Sequence, residues 1–382
     1  MESEKTLAAE QVVDFTGIHR PMVSVGMLTY NHEKYIARAL DSILQQEVNF
    51  DYEIVVADDC STDRTREIIL EYQKKYPDVI KPKFNETNLG GQKNANSLRT
   101  ACIGKYRATL EGDDYWITKS KLQRQVDFLE NNPDYVAIGG DFACIDDYGR
   151  PCKFPWGDIR YTYCQGDEYT MEDLNNWLLP AHASCMCFRN IFVEITKEEL
   201  DYFHSLEVLG DRRTSMYLLM HGRIKHQKEV LMIRRVLSQS NTSMTSLTKQ
   251  TNWHARNYLW MIETERCVKE HFHRTDLDLS KFKETRWISS VSVFIKHPSI
   301  SNLKLMRFIY KNSDKKAEYR KLLRKKIKDG LYDCTTHNGI GRTCKLIAKK
   351  LYLSLKNIIF RTTRGRKSEN ALYERSLGKQ FS

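Results

Sequence analysis

No stretch of this 382-residue chain reaches the roughly 18 to 20 uninterrupted apolar residues that a membrane-spanning helix needs. The first twenty residues place Glu2, Glu4, Glu10 and Asp14 among few apolar positions, without the basic start and apolar core of a secretory signal. Both absences lead to the expectation of a protein kept in the cytosol, reaching a membrane only peripherally at its inner face. No CxxC pair occurs among the ten cysteines. Cys185 and Cys187 flank Met186 on one side of an expected strand, but two further ligands at suitable spacing are missing, so buried reduced thiols are expected rather than a zinc site. Neither a GxGxxG fingerprint nor a GxxxxGK[ST] loop is present, which argues against a dinucleotide fold of that type and a P-loop nucleotidase. Internal repeats and long low-complexity runs are also lacking.

The formal charge of +11 is unevenly placed. Between Lys321 and Lys367, 14 Lys and Arg stand against 2 acidic residues, so the basic surplus belongs to the C-terminal region and the preceding residues are near neutrality. From Lys345 to Phe360, Ile347, Leu351, Tyr352, Leu355, Ile358 and Ile359 fall on one side of a helical projection, while Lys345, Lys349, Lys350 and Lys356 gather on the other. Such a helix can lie in an anionic membrane surface or pack on the rest of the chain. Nucleic acid is not expected as a partner, since no binding motif accompanies the charge.

What is present is an alternation of strand and helix patterns. Met22 to Leu28 reads as a buried strand, followed by a helix with Ile36, Ala39, Leu40, Ile43 and Leu44 on one face. Glu53 to Ala57 is a second strand, and Ile68, Ile69 and Tyr72 share a face of the helix after it. A third strand near Val79 to Phe84, a helix from about Gln92 to Cys102 and a strand from Tyr106 to Leu110 complete the rhythm. The fold expected is α/β, a mainly parallel sheet flanked by helices with a helical C-terminal appendage. The expected organisation is a tail over 1–20, a catalytic domain over 21–242 and a basic helical region over 243–382. The boundary falls in the Ser/Thr-rich stretch Ser238 to Thr248.

Ligands of such sheets sit beyond the carboxyl ends of the strands, which places Thr29 to Asn31, Asp58 to Ser61 and Glu111 to Asp114 on one rim. Ser61 and Asp63 read as caps of the following helix, but two adjacent carboxylates, Asp58 and Asp59, exceed what a cap needs. Strand alternation should aim one of them into the crevice. Glu111-Gly112-Asp113-Asp114 carries the strongest signal. Carboxylates around a small residue at a strand end suit a hard divalent cation, Mn2+ or Mg2+, that offsets charge on a departing diphosphate, and Gly112 allows phosphates close to the backbone.

The stretches Val23 to Asn31, Ile54 to Asp63, Asn88-Leu89-Gly90 and Leu110 to Asp114 resemble, in order and spacing, the family-2 glycosyltransferases of the GT-A fold; the resemblance covers roughly residues 21 to 237. It implies that Asp59 hydrogen-bonds the base of a nucleotide lined also by Thr29, Tyr30, Asn31, Asp58, Asn88 and Gly90. A carboxylate there accepts from the ring N–H of uracil, for which adenine has no match, so UDP is favoured. The Asp-x-Asp signature of the family is met by Asp113, with Glu111 replacing its first acid; the metal is assigned to Asp113 joined by Asp114, and Glu111 is placed near the ribose or a metal-bound water. Asp211 occupies the position of the family's base, with His182 and His221 as rivals on chemistry. Arg212, Arg234 and Arg235 are candidate partners of the diphosphate. Cys60 stands where glycine is usual, and no histidine follows Arg235 as the family often has.

These residues lead to an inverting glycosyltransferase, of hexosyl or N-acetylhexosaminyl type, that moves a sugar from a nucleotide-sugar donor to a hydroxyl of a glycan or lipid-linked glycan acceptor in surface polysaccharide synthesis. A non-catalytic scaffold binding nucleotide or metal at the rim, and membrane or nucleic acid through the tail, is the alternative. A sugar-1-phosphate nucleotidyltransferase would need a glycine- and arginine-rich loop that Thr29-Tyr30-Asn31-His32 does not supply.

Overall fold

A computed structural model describes residues 17, 19–153, 162–208, 210–237 and 253–296, together with 306, 309–310, 316–321 and 325. The chain divides into two compact units, the first ending at Ser238 and the second running from Gln239 to Gln380.

In the first unit the expected strands form one half of a mixed sheet. β1 (Val23–Thr29) lies between β2 (Tyr52–Asp58) and β4 (Tyr106–Glu111), and β2 continues to β3 (Ile80–Phe84), all parallel. The register sets Thr29 beside Asp58 and Leu28 beside Glu111, so three strand ends finish level with one another. Helix α1 (Ile36–Leu44) buries Ile36, Ala39, Leu40 and Ile43, an i, i+3, i+4, i+7 stripe. Helices α2 (Thr65–Lys75) and α3 (Gly91–Ala101) follow β2 and β3. Between α3 and β4 the chain passes so close to β1 that a Cβ at Gly104 would lie 2.5 Å from the Ser24 nitrogen, a space only glycine leaves open.

The other half of the sheet was not legible in the chain's periodicity. Two-residue β5 (Tyr115–Trp116) follows the acidic turn, and α4 (Lys121–Asn131) leads to the long β6 (Tyr135–Ile145). Short β7 (Glu168–Tyr169) and α5 (Met171–Asn175) precede three-residue β8 (Cys187–Arg189), and α6 (Lys197–Ser205) and α7 (Gly210–His221) precede β9 (Arg223–Arg235). The order is β3-β2-β1-β4-β8-β6-β9-β5, with β7 also on β9. β8 is antiparallel to both β4 and β6, β9 is parallel to β6, and β5 is antiparallel to β9. Cys185 and Cys187 are buried free thiols, as expected.

Helix α7 is held by the fully buried Arg213, whose guanidinium donates to the carbonyls of Phe203, His204 and Leu206 and to Asn96 Oδ1. One side chain thereby ties the end of α6, the start of α7 and α3 together, a charge-assisted set of bonds at a buried position.

The second unit is helical where it is described. Helix α8 (Trp253–Arg266) runs into a π turn at Cys267–His271, and α9 (Ser280–Lys296) follows. Glu265 accepts the Leu279 N–H at 2.9 Å and pairs with Lys283. Trp287 stacks on Tyr319 with ring centroids 4.8 Å apart. Among the described residues no helix is long and apolar enough to cross a membrane. The boundary stretch Ser238 to Thr248 and the amphipathic segment from Lys345 to Phe360 lie outside the described residues.

Candidate active site

The loops after β1 and β2 are cross-linked into one rim. Asn31 N–H donates to Ser61 Oγ at 2.8 Å, and Asn31 Oδ1 accepts the Thr62 N–H at 2.8 Å. His32 N–H donates to Thr65 Oγ1 and Glu33 N–H to Asp63, while Asp63 also accepts from Thr65 at the start of α2. Ser61, expected as a cap, bonds between the loops and to Asp58 instead; the residue before α2 is Arg64, without a side-chain cap bond, and only Asp63 accepts an N–H of the first turn, from Thr65. Asn31 (φ 56°) and Cys60 (φ 63°) are left-handed, a region asparagine tolerates and a cysteine occupies at a cost of about 1–2 kcal/mol. That conformation is the physical reason glycine suits the position Cys60 holds.

The two acids ending β2 have separate roles. Asp58 is fully buried, and its carboxylate accepts from Ser61 N–H, Ser61 Oγ and Arg66 Nε, the last at 2.6 Å. Its carboxylate supports the loop from inside. Asp59 faces β3 and the loop beyond it: Oδ1 accepts Asn85 Nδ2 at 3.0 Å and Leu89 N–H at 2.8 Å, and Oδ2 accepts Gly90 N–H at 2.9 Å. Asn88 Oδ1 shares that Gly90 N–H at 3.1 Å. Asp59 therefore shapes the Asn88–Gly90 loop, with Oδ2 holding a single protein bond. The Thr29 carbonyl accepts the Asp59 N–H at 3.0 Å, and Tyr30 lies half-buried on the same rim.

At the end of β4 the acidic turn closes against distant elements. The 3-10 turn Ala183–Cys185 is bound to β4, because Thr109 Oγ1 donates to the Ala183 carbonyl at 2.7 Å and Glu111 N–H donates to Ser184 Oγ at 3.3 Å. His182, just before this turn, comes together with Glu111 and Asp114: one ligand atom from each lies within 4.8 Å of the others. Arg235 N–H donates to Asp114 Oδ1 at 2.9 Å, a bond made possible by the pairing of β5 with β9. Asp114 Oδ2 is buried without a hydrogen-bond partner, as are Thr29 Oγ1 and His32 Nδ1. A Cβ at Gly112 would lie 2.8 Å from both of the latter atoms, so only glycine fits between them. Asp113, half-buried, stands outside the group of three but acts on both neighbouring acids.

The electrostatics follow from this crowding. Glu111 is reached by solvent yet has protein packed around its carboxylate. Burial pushes its pKa up to about 7; Asp113 and then Asp211 add to the rise and Arg234 opposes it. Burial, then Asp113 and Glu111, hold Asp114 well above the usual carboxylate range. Burial, aided by Arg234, pushes His182 down to about 3, so it is neutral at physiological pH. Asp211, in the first turn of α7, accepts the Arg212 N–H at 2.7 Å and lies close enough to raise Glu111. Arg212 is turned away, donating to the Trp177 carbonyl at 2.8 Å and covering the Trp177 ring. Arg235 sits between the rings of Tyr35 and Tyr115, at 5.0 and 5.3 Å. His221 is apart from this group, its Nδ1 on the Tyr217 carbonyl at 2.7 Å. Sequence reasoning named His182 only as a rival base and gave no sign of its partners, which are some 70 residues away in the chain.

The site is thus an acidic turn at the carboxyl ends of the parallel strands of an α/β sheet, with Gly112 packed between Thr29 and His32. Residues 24–196 match the family model described as Glycosyl transferase family 2, and in this stretch the chain is similar to that family. An uncharacterized protein of Mycobacterium tuberculosis is 41% identical over 134 residues, 35% of this chain and 39% of that protein. The putative teichuronic acid biosynthesis glycosyltransferase TuaG of Bacillus subtilis is 36% identical over 145 residues, 38% of this chain and 56% of that protein. The matched stretches thus span between about two fifths and a little over half of these relatives. The crystal structure of Staphylococcus aureus TarS 1-349 in complex with UDP-GlcNAc has the same fold, with a TM-score of 0.53 at 18% identity over 75% of this chain and 79% of that one.

The raised pKa of Glu111 has a sign that can be measured. The folded chain holds this proton more tightly than the unfolded chain, so the stability Glu111 contributes is present at low pH and is lost as pH rises from about 4.5 to about 7. Glu111→Gln is expected to raise Tm at pH 8 in EDTA and to leave it unchanged near pH 4. Thermal unfolding followed by fluorescence at the two pH values checks this; a lower Tm at pH 8 would contradict it.

Proposed function

We propose that this chain is an inverting, metal-assisted glycosyltransferase that moves a sugar from a nucleoside diphosphate, UDP by preference, to an acceptor hydroxyl in surface glycan synthesis. The observation that carries the reading is the convergence of the Glu111–Asp114 turn, His182 and Asp211 at the end of β4, beside the rim built around Asp59. The family domain and relatives such as TuaG agree with it. A poly(ribitol-phosphate) beta-N-acetylglucosaminyltransferase of Staphylococcus aureus, 37% identical over 117 residues, does as well.

The residues fit a divalent cation. Asp114 Oδ2 is buried and unpartnered, and adjacent acids drive each other's pKa upward, a conflict that a cation relieves. The carboxylates of Asp113, Asp114 and Glu111 would hold it, and when bound it supplies charge neutralisation for the departing diphosphate. The chain's own part in the reaction is positional and protolytic. Asp59 Oδ2 offers an acceptor to the uracil ring N–H, and Gly112 leaves room for phosphates near the backbone. Asp211, with Oδ1 fixed by the Arg212 N–H, takes the acceptor's proton on Oδ2 as the acceptor oxygen bonds to the anomeric carbon. The bond from that carbon to the diphosphate oxygen breaks on the opposite face, and configuration inverts.

The test is UDP release and product mass with a panel of nucleotide sugars and glycan acceptors. EDTA is expected to abolish turnover, with Mn2+ or Mg2+ restoring it, and Asp113→Ala to lower it by several orders of magnitude. Full activity in EDTA would remove the metal from the reading. Asp211→Asn is expected to lower kcat by about 10²–10⁴ while UDP affinity stays within about twofold. Calorimetric UDP titration separates this from a structural role, in which affinity would fall too.

The basic surplus between Lys321 and Lys367 extends the reading to an enzyme working peripherally at an anionic inner membrane face, where a lipid-linked acceptor would be presented. The full chain is expected to sediment with anionic vesicles at low salt and to be released as salt rises. Absence of binding at low salt would refute the membrane role and leave the chemistry untouched.

A further inference from the structure

His182 is within reach of two carboxylates that would hold a cation, and an imidazole in such company invites assignment as a third metal ligand. The hydrogen bonding of the ring opposes that assignment. The Ser184 backbone N–H points at His182 Nδ1 at 3.2 Å, in a buried position, so Nδ1 accepts. A neutral imidazole has one N–H and one lone-pair nitrogen; when Nδ1 accepts, the proton is on Nε2. Metal ligation through Nε2 would need the opposite tautomer, which would set an Nδ1 proton against the Ser184 proton. Metal-bound histidines normally donate their second nitrogen to an oxygen, the reverse of what is found here.

The ring has little freedom to escape this arrangement. His182 is 9% exposed, and its ring lies 5.2 Å from that of Phe142, which in turn meets Tyr163 edge-on at 5.3 Å. The turn supplying the Ser184 N–H is fixed as well, since Ser184 Oγ accepts from Glu111, the Ser184 carbonyl accepts Trp116 Nε1 at 2.7 Å, and Thr109 bonds to Ala183. Among the described residues, Nε2 is not a buried unpartnered atom, and no protein group takes up its proton. It is therefore an unengaged donor, on a ring that brings a nitrogen within 4.8 Å of carboxylate oxygens of Glu111 and Asp114 and lies in the field of Arg234.

We infer that His182 is a hydrogen-bond donor to a phosphate oxygen of the bound nucleotide sugar, held in the Nε2–H tautomer by the Ser184 N–H, and is not a metal ligand. The inference rests on the proposed function for its ligand, and on the structure alone for its tautomer. A neutral N–H near Arg234 adds directional bonding to the diphosphate without further positive charge, while the cation is left to the carboxylates.

Two measurements on the full chain test it. Long-range ¹H–¹⁵N NMR of the histidine-labelled protein is expected to show His182 protonated at Nε2 and unprotonated at Nδ1, unchanged on adding Mg2+. An Nδ1–H tautomer, or a metal-induced shift at Nε2, overturns the inference. Calorimetry with Mn2+ alone and then UDP is run on the wild type, His182→Ala and His182→Gln. Both variants are expected to keep Mn2+ affinity within about twofold. Alanine should weaken UDP by about tenfold or more, and glutamine, whose amide N–H can reach the position of Nε2, should recover most of it. A tenfold loss of Mn2+ affinity in both variants, or UDP binding indifferent to both, overturns it. A wild-type chain that binds no UDP would refute the function reading, and the tautomer seen in the unliganded chain would still decide between donor and ligand.

Discussion

Like charge gathered at one strand end is the constraint on which the site depends. Glu111, Asp113 and Asp114 fall within four consecutive positions, and Asp211 approaches from α7 closely enough to act on the first of them. In water such a turn would splay its side chains apart. Here it cannot, because Arg235 N–H holds Asp114 and Ser184 Oγ holds the Glu111 backbone. Raised pKa values are the result: the folded chain resolves part of the repulsion by retaining protons. A divalent cation offers the other resolution. The acidic turn is thus a site of low intrinsic stability kept in place by hydrogen bonds from elsewhere, a common arrangement where binding must be prepared in advance.

The β2 side of the same rim is stabilised differently. Its carboxylates, Asp58 and Asp59, are satisfied by protein donors, and together they hold three loops in register. Left-handed backbone at Asn31, Cys60 and Gly90 gives these loops their sharp turns. Two acidic pairs that look alike in sequence therefore differ in physics: one neutralised by N–H groups and Arg66, the other left in need of a counter-charge.

That contrast bounds what could be read without coordinates. β1 to β4 were legible because each combines an apolar run with a helix of clear 3.6-residue period, and because the acids follow directly on strands. Pairing of Asp58 with Arg66 and Ser61 was not, since alternation tells only that one acid of two should point outward, and burial of both in a network of loops is a tertiary outcome. β5 and β8, of two and three residues, are too short to show any period. His182 was visible as a titratable residue but not as part of the site. Its place comes from β8 lying against β4, a pairing no local pattern announces.

The family match ends at residue 196, so it covers the rim, the acidic turn and His182, but stops short of α7 and β9. The expected base and both arginines, Arg234 and Arg235, are therefore located by folding constraints alone. Those constraints are strong. Arg213 binds α7 to α6 and α3, which fixes where Asp211 begins its helix. β9 is gripped by β6, β5 and β7, and the β5 pairing sets Ile233 opposite Tyr115, immediately after the acidic turn. A slip of one residue in that register would turn the side chains of Arg234 and Arg235 to opposite faces and remove the N–H that holds Asp114. The two-residue strand β5 thus does more for the chemistry than its length suggests: it couples the acids of the parallel half to the cations of the mixed half.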